Sequence, residues 1–82
     1  MLIIETKMLD GTVLHRQTDE IDAYHAIGYA IEFGWVDPEL VESVSCDDGD
    51  MDAVARPREG LWVMNYGRRG GMRHEIAVPW RE

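Results

Sequence analysis

The sequence predicts an α+β domain: one principal helix packed on an antiparallel sheet of four to six strands, with strands at both termini. Three observations carry this expectation. Apolar side chains recur at spacings of three and four through residues 19–35, the period of an amphipathic helix. Asp10-Gly11 separates two β-rich runs and is the strongest short hairpin signal. Residues 61–66 and 72–80 read as a second pair of strands around a glycine- and arginine-rich turn. At 82 residues the chain has room for one domain, residues 1–82, and one core.

The elements follow in order. Leu2 to Met8 is rich in β-formers, and Thr12 to Gln17 is the return strand. A two-residue loop at Asp10-Gly11 sets Met8 against Val13, Thr6 against His15 and Glu5 against Arg16. Leu2, Ile4, Thr6, Met8, Val13 and His15 then share the core face. Thr18 or Asp19 caps a helix over residues 19–33, with Asp19, Glu20 and Asp22 in a first turn whose dipole favours carboxylates. Ile21, Tyr24, Ile27, Gly28, Ile31 and Trp35 form its apolar stripe, beside the small Ala23, Ala26 and Ala30. Gly34 ends it. Asp37-Pro38-Glu39 fits either the start of a second helix over residues 38–46, with Asp37 as N-cap and proline at the first helical position, or a proline turn followed by a strand through Cys46; the turn and strand are the favoured reading, with a turn at residues 47–50 and a short strand near Asp52–Arg56 behind them. In the last hairpin Met72, His74, Ile76, Val78 and Trp80 share one face, and Arg73, Glu75 and Ala77 the other. Ile4, Met8, Val13, Ile27, Ile31, Val63, Ile76 and Val78 are the expected core.

Charge is the unusual feature. Sixteen Asp and Glu against eight Lys and Arg give a formal charge of −8. Residues 17–55 contain Asp19, Glu20, Asp22, Glu32, Asp37, Glu39, Glu42, Asp47, Asp48, Asp50 and Asp52 and neither Lys nor Arg. The remaining segments are neutral (1–16) or basic (56–82). Such a field repels nucleic acid and anionic lipid and speeds encounter with a basic partner. No apolar run approaches the roughly 18 residues of a membrane span. Met1 to Lys7 lacks the basic lead of a signal peptide, and a single cysteine asks for no oxidising compartment. A cytoplasmic protein without membrane contact is expected.

Residues that could carry chemistry read as structural. Asp48, Asp50, Asp52 and Glu59 match positions 1, 3, 5 and 12 of a calcium loop, but Ala53 stands where that loop needs glycine. Asp47 and Asp48 disfavour a Cys46 thiolate. His15, His25 and His74 fall on three different elements without a third ligand at diagnostic spacing. Neither a nucleophile elbow nor a phosphate-cradling loop is present. The expectation is therefore no catalytic residue, no cofactor and no metal. Arg68, Arg69 and Arg73, with Trp62, Tyr66 and Trp80 nearby, form the one cluster suited to phosphate and base contact. The net charge argues against direct nucleic-acid binding, leaving the cluster as a secondary contact.

In its short single domain, its Lys- and Arg-free segment from Gln17 to Ala55 and the eleven carboxylates named above, the chain resembles small acidic inhibitors carried by phages and mobile elements, of the anti-CRISPR or DNA-mimic type. The resemblance lies in general character rather than in a motif. It implies a stoichiometric, non-enzymatic inhibitor whose carboxylates occupy a basic, nucleic-acid-binding surface of a host protein or nucleoprotein effector complex. Two alternatives are an immunity or antitoxin protein capping a basic nuclease toxin, and a self-associating structural protein, for instance a homodimer, whose oppositely charged segments meet between copies.

Overall fold

Chain order in the computed structural model, which describes residues 1–80, is β1 (Leu2–Met8), β2 (Val13–Thr18), α1 (Ala23–Glu32), β3 (Val41–Asp47), β4 (Met51–Arg58), β5 (Leu61–Arg68) and β6 (Arg73–Pro79). The strands form one antiparallel six-stranded sheet in the order β2-β1-β3-β4-β5-β6. The α+β expectation holds, with strands at both ends of the described chain. Helix α1 connects β2 to β3 and packs on β1, β3 and β4. The other face of the sheet has no layer over it among the described residues, as an antiparallel sheet permits.

The core lies under the helix. Ala23, Ala26, Ile27, Ala30 and Ile31 meet Ile4, Val41, Val44, Cys46, Ala53, Ala55, Trp62 and Met64, all buried. Alanine on both the helix and β4 lets the two layers approach closely, and Ile4, Ile27, Val41, Val44 and Met64 fill the remaining volume.

The first hairpin departs from the expected register by one residue. Lys7 pairs with Val13, Thr6 with Leu14, Glu5 with His15 and Ile4 with Arg16. Leu9, Asp10 and Gly11 make a three-residue loop closed by Met8 N–H to the Thr12 carbonyl (2.8 Å) and Gly11 N–H to the Met8 carbonyl (3.0 Å), with Gly11 at φ 93°. This is the type I turn with a left-handed third residue, which Asp-Gly serves as well as it serves a two-residue turn. A one-residue slip sends every side chain of a strand to the opposite face. Val13 (44% exposed) and His15 therefore lie on the open face, and Arg16 turns to the helix side, its guanidinium 3.6 Å from the Trp35 ring centroid.

Two further expectations are corrected. The helix begins at Ala23 rather than near residue 19. Asp22 is the N-cap, its carboxylate accepting the His25 N–H at 2.8 Å. Thr18 Oγ accepts from the Glu20 N–H instead, a local turn that competes with helix, and Ile21 is left 80% exposed. Gly34 does end the helix: Gly34 N–H bonds the Ile31 carbonyl and Trp35 N–H the Ala30 carbonyl, a Schellman closure. Val63 lies on the open face opposite Ala77, while Trp62 and Met64 take the buried positions beside Val78 and Ile76. His74 shares the helix-side face with Ile76 but remains exposed, because β6 is an edge strand beyond the helix.

Residues 41–47 are a strand, as the proline-turn reading expects, and the weak strand near residue 52 is the full-length, central β4.

Candidate functional site

The topology divides the eleven carboxylates between two ends of the sheet. The helix N-terminus, the β3–β4 turn and the β5–β6 turn meet at one end, where Ala23 N–H reaches Asp48 and Arg69 N–H reaches the Asp50 carbonyl. That end holds Asp19, Glu20, Asp22, Asp47, Asp48, Asp50 and Asp52, together with Arg68, Arg69 and Arg73. The opposite end holds the β1–β2 turn, the 37–40 turn and the β4–β5 turn, linked by Leu9 N–H to the Leu40 carbonyl. Glu32, Asp37, Glu39 and Glu42 lie toward it. The charge run is contiguous in sequence and is not one surface.

Several of these carboxylates hold the fold together. Asp48 is the joint between turn and helix: one oxygen accepts the N–H groups of Asp50 and Met51, each at 2.8 Å, and the other accepts the Ala23 N–H at 2.9 Å. Those bonds, Met51 foremost, hold its carboxyl below the usual carboxylate range. Asp22 caps the helix and bonds the His25 ring at 2.8 Å. Asp37 accepts the Glu39 N–H across its own turn, and Glu42 pairs with Lys7 at 3.3 Å.

The arginines of the last hairpin fold back on the acidic turn. Arg69 pairs with Asp47. Arg73 makes two bonds to the Asp52 carboxylate, at 2.7 and 3.0 Å, and two more to the Asn65 side-chain oxygen, at 2.9 and 2.7 Å. The Arg73 bonds depress the Asp52 carboxyl. Arg68 is exposed and makes no ion pair with the described residues. Asp19, Glu20, Glu39 and Asp50 likewise make no side-chain hydrogen bond or ion pair with them. Seven carboxylates against three arginines still leave the helix N-terminal end acidic.

The remaining candidate chemistry is dispersed. Strand β4 separates Asp50 from Glu59 by roughly 25 Å of extended chain, so the calcium-loop spacing does not close round one ion. Among the described residues no group of three His, Cys, Asp or Glu side chains has metal-holding geometry. Burial first, then Asp48 and Asp47, raises the Cys46 thiol pKa and keeps it protonated. On the open face, His15 lies 3.5 Å from Glu5, and Glu5 separates it from Ser45 by two strand spacings, about 10 Å. His25 sits on the helix surface, and His74 stacks on Tyr66.

The helix side carries a feature that the sequence did not announce. Because α1 covers β1, β3 and β4, a groove of about 460 Å3 remains between the helix and strands β5 and β6. Tyr24, Gly28 and Ile31 form one wall, and Met64, Ile76 and Val78 the floor. Glu20, His25 and Glu32 stand at its border, and among the described residues neither Lys nor Arg lines it. The alternation of Ile76 and Val78 marks them as inward-facing, but only the topology shows that the helix stops short of them. At the rim of the groove Tyr29, which also lines it, stacks on Phe33 at 4.2 Å, the two being 40% and 56% exposed.

No protein-family model matches the chain, and neither a curated protein nor a solved structure shows significant similarity to it.

Proposed function

We propose that this chain is a non-enzymatic inhibitor that occupies a basic, nucleic-acid-binding surface of a host protein or effector complex, in the manner of anti-CRISPR and DNA-mimic proteins. The supporting observation is the helix N-terminal end, where Asp19, Glu20 and Asp50 have no ion-pair partner among the described residues and carboxylates outnumber arginines after Arg69 and Arg73 have paired. Carboxylates gathered at one end of the sheet, on the β3–β4 turn and at the helix entry, raise the local negative potential, which draws in a basic partner and disfavours acidic competitors. The pairing of Arg69 and Arg73 inside the chain weighs against assembly through oppositely charged segments of different copies, since such an assembly would need those same groups.

Affinity capture from host lysate, followed by mass spectrometry, tests the reading. The wild-type chain is compared with Asp19→Lys/Asp50→Lys, whose changes fall on exposed side chains and alter stability by less than about 0.5 kcal/mol. The reading expects a basic nucleic-acid-binding protein captured by the wild type and lost from the variant. Equal capture of the same proteins by both would refute it.

A further inference from the structure

Strand β2 is the outermost strand at one side of the sheet, and all six of its residues are exposed or half-buried. Because Met8 N–H bonds the Thr12 carbonyl, the β1–β2 ladder alternates from that point, and Thr6–Leu14 and Ile4–Arg16 exchange hydrogen bonds. The N–H and C=O groups of Val13, His15 and Gln17 therefore point away from β1, out of the sheet. Among the described residues no strand lies beyond them, and Trp80, the last of these, bonds Gly60 on the β5 side of the sheet.

The two edges differ in how they are protected. Edge strands are normally blunted by proline, charge or a bulge, because unpaired backbone groups recruit other strands. β6 carries Arg73, Glu75 and Pro79. β2 has no proline, and its register against β1 runs unbroken from Val13 to Thr18. Arg16 is its one Lys, Arg, Asp or Glu, and that guanidinium is held on the Trp35 ring at 3.6 Å.

Symmetry selects the occupant. A strand lying antiparallel to its own copy across a two-fold axis must pair outward-pointing residues with outward-pointing residues. With the axis at His15, Val13 meets Gln17 of the second copy, His15 meets His15 and Gln17 meets Val13, which makes six backbone hydrogen bonds. On the helix side Leu14, 53% exposed in the single chain, then lies beside Arg16 of the second copy, and Arg16 beside its Leu14. Moving the axis to Leu14 leaves four bonds. Moving it to Arg16 also leaves four and sets two guanidiniums side by side. The segment from Gly11 to Thr18 carries no carboxylate, so the edge itself is spared the repulsion between two chains of charge −8.

We infer that a second copy of this chain joins at β2, antiparallel about a two-fold axis at His15, so that two six-stranded sheets become one continuous sheet. This goes beyond the reading that the acidic end binds a basic partner, and its hydrogen bonds use neither Asp19 nor Asp50. The dimer carries two acidic ends, directed oppositely along the strands, and so offers a partner two contacts.

Analytical ultracentrifugation of the full chain from about 1 to 500 μM, with hydrogen exchange of its backbone amides at both extremes, tests the junction. The expected result is a monomer–dimer equilibrium, with protection of the Val13, His15 and Gln17 amides rising at least tenfold with concentration. Leu14 and Arg16, whose amides already bond β1, should change less. His15→Pro removes the central outward N–H without touching a bond to β1, and should weaken dimerisation at least tenfold. Leu14→Lys should do the same by setting a second cation beside Arg16 of the other copy, and it serves where proline disturbs the fold. Raising salt from about 50 to 500 mM should leave the dimer as strong or stronger, because the copies repel overall.

A chain still monomeric at 500 μM would overturn the inference. So would a dimer in which Val13, His15 and Gln17 exchange as freely as in the monomer, or one indifferent to both variants. A dimer dissolved by salt would make ion pairs between oppositely charged segments the junction, and protection confined to Arg73–Pro79 would move it to β6; either result would equally refute pairing at β2.

Discussion

Replacing Asp48 by alanine removes the one side chain, among the described residues, whose hydrogen bond ties the β3–β4 turn to the helix. Its carboxylate accepts the Ala23, Asp50 and Met51 N–H groups at 2.8–2.9 Å. Loss of a helix-capping acceptor costs about 1 kcal/mol, and an orphaned turn N–H adds a similar amount where water does not replace the bond. The Asp50 and Met51 donors are partly open to solvent, so the sum is about 2 kcal/mol. For a domain of this length that corresponds to a fall of about 8–16 °C in melting temperature. Asp48→Asn should fall between alanine and wild type, since an amide has one acceptor oxygen and cannot serve both Ala23 and the turn. Thermal melts followed by circular dichroism give the size of the effect, and hydrogen exchange at Ala23 and Met51 gives its location. Asp50→Ala is the control and should change stability by less than about 0.5 kcal/mol. An Asp48→Ala chain as stable as that control would refute the joint, and Asp48 would return to the set of surface carboxylates available to a partner.

Acid should weaken the fold through the same groups. Asp48 and Asp52 are depressed below the ordinary carboxylate value of about 3.9, so their contribution is complete above that pH and disappears as pH falls through their lower folded values. Urea midpoints should be level from about pH 7 to 5 and drop below about pH 4, with a shallower drop in Asp48→Asn. Glu59 is the one described non-glycine residue at positive φ, 51°, in the two-residue turn it shares with Gly60. Glu59→Gly should stabilise by up to about 1 kcal/mol by relieving that strain, and an unchanged urea midpoint would contradict the turn geometry. Ile27→Ala opens the core beneath the helix and should cost about 2–5 kcal/mol, measured by urea denaturation.

What the sequence could reveal depended on how local each signal was. The existence of both terminal hairpins, the helix stripe from Tyr24 to Ile31 and the stop at Gly34 are fixed by neighbours a few residues apart, and these features form in the stretches where the periodicity places them. Asp10-Gly11 fits loops of two or three residues, and choosing between them decides whether His15 faces the core or water; only the strand ladder resolves it. The helix start was obscured because Thr18, Asp19 and Asp22 are all competent caps, and the choice falls to Asp22 where Asp48, 26 residues later, meets the first N–H of the helix. The charge run was visible, but its division between two ends follows from antiparallel strands alternating direction. The groove is a property of where α1 comes to rest, and its only local trace is a glycine inside a helical pattern.

The central claim, that the helix N-terminal end meets a basic protein surface, is tested most directly by the association rate with the captured partner as salt is raised. Exposed charges are screened over about 8 Å at physiological ionic strength, so steering by Asp19 and Asp50 must appear in the on-rate. The account predicts an association rate that falls steeply between about 50 and 500 mM salt for the wild type, and a slower, nearly salt-independent rate for Asp19→Lys/Asp50→Lys. An on-rate indifferent to salt in the wild type, or the same salt dependence in both proteins, would contradict it.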